Sequence, residues 1–115
     1  MTILYGINNC DTIKRVRKWL DQQDIAYDFH DYKKAGCEEK LAKTLLKQFG
    51  MDSAINRRGT TWRKLPDSVK ENLTPTTAAK LMVENPSLIK RPILNTNKSW
   101  LIGFDETEWR STLTD

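Results

Sequence analysis

Cys10 is the residue of this sequence whose surroundings are best suited to chemistry. It follows an apolar segment, Ile3–Ile7, and a polar turn, Asn8-Asn9, and from Asp11 onward apolar residues recur every three or four positions, as in a helix. Unpaired N–H groups and the positive dipole end at a helix start stabilise a thiolate. Thiols so placed titrate at roughly 3.5–7.5 instead of about 8.5. We predict a nucleophilic cysteine at this N-cap; the alternative is a cysteine that only packs as a small hydrophobe.

Arginines form the second group of candidate site residues. A guanidinium presents a rigid fork of donors that suits carboxylates and oxyanions, and near a thiol it lowers the thiol pKa. Arg91 precedes Pro92, and such a peptide bond is a candidate for the cis isomer. Spacing alone favours ordinary exposed positions for Arg57, Arg58 and Arg91, because arginines are mostly exposed.

Three further residues have side chains that could react or bind a ligand, but their positions in the sequence favour other roles. Cys37 could resolve an oxidised Cys10, but it follows Gly36 in a loop, and we expect the two thiols to stay unlinked. His30 falls within an alternating strand pattern, which favours a structural role. Trp62 is expected in the core rather than on a ligand. Two cysteines so far apart in sequence do not form a metal knuckle, and we expect no metal site and no bound cofactor.

The elements that must position these residues follow from hydrophobic periodicity. A strand, a helix and a second strand over residues 25–32 predict a right-handed parallel βαβ unit. Helical segments then follow at 38–49, 53–55, 67–73 and from the cap Thr74-Pro75 to Asn85-Pro86. Two short strands around the turn 95–98 predict a hairpin, and a last helix begins near Glu106 with Asp105 as its cap.

The predicted fold is a thioredoxin-like α/β sandwich. Its order is β-α-β, then helices, then β-β-α, with a mixed four-stranded sheet because the last link is too short for a parallel crossover. Residues 1–35 and 90–115 would form the sheet unit, and residues from about 37 to 88 a helical insertion, all within one domain of 115 residues.

Composition limits the partners and the location. The net charge is +4, but the basic residues are scattered, which does not favour a nucleic-acid surface. No apolar run reaches membrane-spanning length, and the first residues lack a leader pattern. We therefore expect a cytoplasmic monomer that keeps both cysteines as thiols.

Three segments resemble a known family: residues 5–12 (YGINNCDT), 56–65 (NRRGTTWRKL) and 86–92 (PSLIKRP). They are similar to the thioredoxin-fold arsenate reductase group, the ArsC family, which also contains Spx-type regulators and YffB-like proteins, and they resemble the YffB-like branch most. The resemblance implies a nucleophilic Cys10 with Arg91 beside it as thiolate and anion partner, and a cis Pro92 opposite the cysteine. It also implies substrate contacts, assigned to Asn8, Asn9, Thr12, Arg57 and Pro92.

Two departures from the family pattern narrow the range of functions expected for this chain. Arsenate reductases of this group carry an arginine where this chain has Gly103, and a Gly-Thr-Ser continuation where it has Asp11, Thr12 and Ile13. Efficient arsenate reduction is therefore not expected. Redox-switched Spx-type regulators carry a second cysteine at the position of Ile13, which excludes a CxxC switch here.

The resulting hypothesis is a thiol-dependent oxidoreductase of the arsenate reductase family. Cys10 would attack a disulfide or oxidised substrate, and glutathione, a thiol co-substrate, would resolve the mixed disulfide. Two alternatives stay open: an Spx-like, non-enzymatic adaptor that binds RNA polymerase or another protein, and a weak arsenate reductase.

Overall fold

The structure is a computed structural model that describes residues 2–114. Its contacts divide the chain into two compact units: a sheet unit, made of residues up to 33 and from 91 onward, and a helical unit of residues 34–90. In chain order the elements are β1 (Ile3–Gly6), α1 (Asp11–Gln22), β2 (Asp28–Asp31), α2 (Tyr32–Ala35), α3 (Glu39–Phe49), α4 (Met51–Ala54), α5 (Thr60–Arg63), α6 (Asp67–Glu71), α7 (Pro75–Glu84), a 3-10 turn (Pro86–Leu88), β3 (Ile93–Asn95), β4 (Trp100–Ile102) and α8 (Glu106–Thr114).

The sheet unit contains one four-stranded mixed sheet in the order β2-β1-β3-β4. β1 and β2 run parallel, with Leu4 opposite Phe29, so the predicted βαβ unit is confirmed. β3 runs antiparallel to both β1 and β4, which confirms the predicted hairpin. Because β1 pairs antiparallel with β3 from Ile3–Asn95 to Tyr5–Ile93, the last residues of β1 lie beside the first residues of β3.

One face of this sheet packs against α1 and α8. The buried residues of this cluster are Leu4, Val16, Trp19, Leu20, Leu94, Leu101 and Trp109. Trp109 is completely buried, and its indole N–H donates to the Gly103 carbonyl at 2.9 Å, so the largest core side chain leaves no donor unsatisfied. The predicted cap of α8 is also confirmed, since the Asp105 carboxylate accepts from the Glu108 N–H at 3.1 Å.

Gly6, at the end of β1, allows α1 to approach the sheet closely. A Cβ at this position would overlap Ile13 Cδ1 and lie 2.8 Å from Ile13 Cγ1. Ile13 is completely buried in the first turn of α1. A side chain at position 6 would push that turn away from the strand, and with it the start of the helix.

The helical unit is built mainly from α3 and α7. Their buried faces consist of alanines and longer apolar side chains: Ala42, Leu45 and Leu46 on α3, and Ala78, Ala79 and Met82 on α7. α7 begins with the predicted Thr74 cap, in which Thr74 and Thr77 form a reciprocal capping box. An antiparallel bridge joins Ile55 to Ile89 within this unit.

Local structure differs from the sequence prediction at the end of β2. The strand is shorter than residues 25–32 and stops at Asp31, and Tyr32 begins the unpredicted helix α2. The physical reason is a local cap: the Asp31 carboxylate accepts the Lys33 N–H at 3.0 Å and turns the backbone out of the strand. α5 was also not predicted.

Among residues 2–114, the helices are too short or too polar to cross a membrane.

The close approach at Gly6 gives a stability prediction. Gly6→Ala should lower the free energy of unfolding by about 1–3 kcal/mol, because the methyl group overpacks against Ile13. Urea denaturation followed by circular dichroism measures the loss.

Gly59→Ala is the matched control. Gly59 has a φ of −81°, and the nearest atoms to its new Cβ would belong to Asn56, with the side-chain nitrogen at 3.2 Å and the backbone oxygen at 3.9 Å. We expect a change of about 0.5 kcal/mol. Equal losses in the two variants would show that Gly6 does not set the helix position.

Candidate active site

Cys10 is the N-cap residue of α1, as predicted. Its backbone is extended, with φ −97° and ψ 128°, and its carbonyl accepts the first helical hydrogen bond, from the Lys14 N–H at 3.0 Å. The turn that leads to it is closed by a bond from the Cys10 N–H to the Ile7 carbonyl at 3.2 Å. The residue is half-buried. The thiol is therefore held at the end of β1 and remains open to a reactant.

The surroundings of the sulfur favour its charged form. Burial raises the thiol pKa, but the Ile13 N–H, the Arg91 side chain, the Thr12 N–H and the guanidinium charge together outweigh it, so the pKa of Cys10 lies below its ordinary value. The sulfur makes no short capping bond of the kind that a serine makes. The two N–H groups instead act as donors aimed at a thiolate.

Arg91 reaches the thiol because of the strand register. It lies just before β3, and β3 begins opposite the end of β1, from which the chain runs on to Cys10. Arg91 is half-buried, and the peptide bond to the buried Pro92 is cis, as the family resemblance implied. The hydrogen bond from Arg91 to the Cys10 sulfur lowers the thiol pKa. The sheet unit thus brings together a thiol, a guanidinium and two helix N–H groups.

Asn8 and Asn9, predicted as substrate contacts, lie exposed in the turn before Cys10. The side-chain amide oxygen of Asn8, Oδ1, accepts from Arg17 Nη1 at 3.4 Å. Arg17 in turn lies over the Phe29 ring, 4.5 Å from its centroid, and its Nε donates to the Tyr27 hydroxyl at 3.0 Å. Arg17 therefore links this turn to β2, a role that sequence reasoning missed.

Arg57 belongs to the helical unit. Its Nη2 lies 2.8 Å from Asp52 Oδ1, and its guanidinium lies 5.1 Å from the centroid of the Trp62 ring. A cavity of about 340 Å³ opens beside it, and the residues that line it are Asp52, Ile55, Asn56, Arg57, Arg58 and Lys90. Three of these are cations and one is an anion, so the cavity suits an anionic group. Its part in the reaction of Cys10 stays a prediction.

Cys37 is in a different chemical state from Cys10. It is buried, and burial together with the neighbouring Glu38 charge raises the pKa of its thiol to about 11. Its sulfur lies 3.6 Å from the Glu38 carbonyl oxygen. Cys37 is therefore a protonated thiol at neutral pH, unsuited to attack.

The remaining candidates have packing roles. His30 lies against Tyr5 and Tyr32, with ring centroids 5.1 and 5.4 Å apart, which agrees with the expected structural role. Trp62 is half-buried rather than in the core, and Arg57 and Lys70 lie over its ring, 5.1 and 5.8 Å from the centroid. Within residues 2–114, histidine, cysteine and acidic side chains form no cluster that could hold a metal ion.

Comparison with known proteins finds one matching family and several similar chains. The model of the ArsC family matches residues 5–112. A Haemophilus influenzae protein without an assigned function is 44% identical over 96% of this chain and 97% of its own. The global transcriptional regulator Spx of Streptococcus agalactiae is 31% identical over 98% of this chain and 83% of its own. The solved structure of a YffB protein superposes with a TM-score of 0.94 at 41% identity, covering 98% of this chain and 99% of that one.

The match covers both the thiol segment and the arginine that lies beside it. It extends through the helical unit and into α8. The chain therefore belongs to the ArsC family.

Proposed function

We propose that this protein is a thiol-dependent oxidoreductase that uses Cys10 as its nucleophile and glutathione as its co-substrate. The observation that carries the proposal is the placement of the Cys10 sulfur against Arg91 and the first N–H groups of α1, which together lower its pKa. A surface thiol without such partners is mostly protonated at neutral pH and reacts slowly.

The reaction takes three thiol–disulfide exchanges, two of which consume glutathione. The Cys10 thiolate attacks one sulfur of a substrate disulfide, the disulfide bond breaks, and the other substrate sulfur leaves as a thiolate that takes up a proton. A glutathione thiolate then attacks the substrate sulfur or the Cys10 sulfur of the mixed disulfide. Attack on the substrate sulfur releases the Cys10 thiolate at once and leaves the substrate bonded to glutathione, so a further glutathione must free the substrate thiol. Attack on the Cys10 sulfur frees the substrate thiol at once and leaves Cys10 bonded to glutathione, so a further glutathione must attack that glutathione sulfur to return the Cys10 thiolate. A low pKa makes Cys10 a good leaving group in the exchange that releases it.

The external thiol is needed because the chain offers no suitable internal one. Cys37 is buried with a raised pKa, and position 13 holds the buried Ile13 instead of a cysteine. Glutathione is present in reducing compartments and carries two carboxylates. Arg91 and Arg57 are the guanidiniums proposed to bind them, with Asn8, Asn9, Thr12 and Pro92 as further contacts. The exposed ion pair of Arg57 with Asp52 does not prevent this, because such pairs contribute little.

Arsenate is a poor substrate under this proposal. Gly103 stands where arsenate reductases of the family carry an arginine, and here it has a φ of +70° and donates its N–H to the Pro92 carbonyl at 2.9 Å. A multiply charged oxyanion would lack one charge-assisted contact of about 1.5–3 kcal/mol. An adaptor function is the second candidate, because Spx is similar over almost the whole chain. An adaptor would not need the Arg91 contact to the thiol.

The Arg91 contact gives the first functional prediction. Arg91→Ala should raise the pKa of Cys10, because it removes a hydrogen bond and a positive charge from the thiolate. The pH midpoint of iodoacetamide alkylation, followed by mass spectrometry of the Cys10 peptide, should move upward, so that the rate at pH 7 falls. Reduction of a glutathione mixed disulfide should lose about ten- to a hundredfold in kcat/KM.

Two internal comparisons control this experiment. Cys37 should react more slowly than Cys10 across the whole pH range, since its thiol has a pKa of about 11. Lys98→Ala removes an exposed cation from the hairpin turn of the same unit and should leave the Cys10 profile unchanged. A Cys10 profile that matches a free thiol would contradict the proposed function.

The one-cysteine mechanism predicts a single adduct. Treatment of the reduced protein with glutathione disulfide should add one glutathione, on Cys10, as seen by non-reducing peptide mapping. Cys37 should stay unmodified in the folded protein, because it is buried. A dominant link between the two cysteines would replace the external-thiol mechanism with an internal one.

Because Gly103 stands in place of an arginine, we expect the protein to discriminate against arsenate. With glutathione and glutaredoxin supplied, arsenate turnover should be poor, while glutathione should protect Cys10 from alkylation less well in Arg91→Ala than in the wild type. Brisk arsenate reduction without glutathione protection would assign the chain to the arsenate reductases instead.

A further inference from the structure

A second cleft of the sheet unit lies away from the thiol, along the side of α1. It encloses about 550 Å³ and is lined by Arg15, Lys18, Trp19, Gln22, Phe104 and Glu106. The first four residues are spaced three, four and seven positions apart, so they share one face of α1. Phe104 lies in the segment that joins β4 to α8, and Glu106 is the first residue of α8.

Most of the charge at this cleft is positive and accessible. Arg15 and Lys18 are both exposed. The single carboxylate of the lining, on Glu106, already accepts the Trp19 indole N–H at 3.1 Å and lies 2.7 Å from Arg110 Nη2. The negative charge of Glu106 is therefore balanced by Arg110, and Arg15 and Lys18 are left to attract an anion.

Phe104 supplies an apolar wall beside the two cations. Its ring is half-buried and packs edge-on against Trp19 and Trp109. The Arg15 guanidinium lies over the ring at 5.8 Å, near the outer limit of a cation–π contact. A guanidinium held so loosely can turn to a carboxylate and leave the ring face to an incoming apolar side chain.

The acidic residues at the start of α8 indicate which kind of anion this cleft can bind. Three carboxylates, those of Asp105, Glu106 and Glu108, lie at this helix start, and Asp105 already caps it. A phosphate with two charges would meet their repulsion and would find no Gly-rich loop to surround it. A carboxylate has a single charge and can approach from the side of α1, where Arg15 and Lys18 lie.

We propose that this cleft binds an acidic segment of a partner protein, with a carboxylate on Arg15 and Lys18 and a neighbouring apolar side chain on Phe104. The exposed amide of Gln22 can bond to the peptide backbone. The net charge of +4 favours the approach of an acidic partner. The cleft is built from the middle and end of α1, whereas the thiol lies at its start, so a segment bound here leaves the sulfur accessible.

The test is a titration of isotope-labelled Cys10→Ser protein with a synthetic peptide, so that thiol chemistry has no part in the result. The probe is a blocked hexapeptide of four acidic residues around one phenylalanine and one leucine. Four tryptophans give four indole N–H signals in the NMR spectrum. The Trp19 signal should shift in a saturable way, because this N–H lies in the cleft and bonds to Glu106, whereas the signals of Trp62 and Trp100 should not move.

Variants separate the cleft from general charge attraction. Arg15→Glu with Lys18→Glu should weaken binding about tenfold, and the folded state should survive because both side chains are exposed. Lys33→Glu with Lys98→Glu makes the same charge change at exposed positions elsewhere on the sheet unit and should leave the affinity within about twofold. A peptide with alanines in place of its two apolar residues should bind more weakly to the wild type.

Other results would overturn the proposal. These are the absence of a Trp19 shift up to about 1 mM peptide, equal weakening by the two charge-reversal pairs, or a Trp19 shift produced by ADP or inorganic phosphate but not by the peptide. None of them bears on the oxidoreductase function, which depends on Cys10 and Arg91 and is measured by alkylation and turnover. Conversely, if Arg91→Ala loses turnover but still binds the peptide, the assignment of the cleft as a peptide-binding site stands.

Discussion

Ile13 packs where a side chain on Gly6 would otherwise stand, and this contact fixes the position of α1 against β1. The start of the helix then sets the place of Cys10, and the pairing of β1 with β3 sets the place of Arg91. A displacement of the first turn would move the Thr12 and Ile13 N–H groups together with the sulfur, but it would not move Arg91, which comes from another strand. The chemistry of the thiol therefore depends on a packing contact between two apolar atoms and a bare Cα.

The two cysteines show how far burial alone determines the pKa of a thiol. Both lose water, and for both this raises the pKa, yet only Cys37 ends above its ordinary value, because its burial is not offset and the neighbouring carboxylate of Glu38 raises the pKa further. Cys10 has donors and a guanidinium instead. Burial and the sign of the nearby charges together give the two thiols pKa shifts of opposite direction.

Local patterns were sufficient to predict most of the sheet unit and the place of Cys10. Periodicity gave the βαβ unit and the hairpin, and residue chemistry gave the caps at Thr74 and Asp105. The contacts that the prediction missed join distant parts of the chain or depend on single side-chain bonds. Arg17 meets Tyr27 and Phe29 only once the helix lies on the sheet. The bond between Trp19 and Glu106 spans 87 residues, and no spacing rule encodes it.

The N-cap position of Cys10 also links the oxidation state of the sulfur to the stability of the protein. A thiol whose pKa is lowered by folding stabilises the folded chain above the unfolded pKa, and this contribution is lost as the pH falls through the folded pKa. A mixed disulfide carries no charge at the sulfur, so it forfeits the same contribution at any pH. Where Cys10 is a thiolate, this contribution favours the reduced form over a mixed disulfide, in the way that stabilisation of the reduced state makes a disulfide a stronger oxidant.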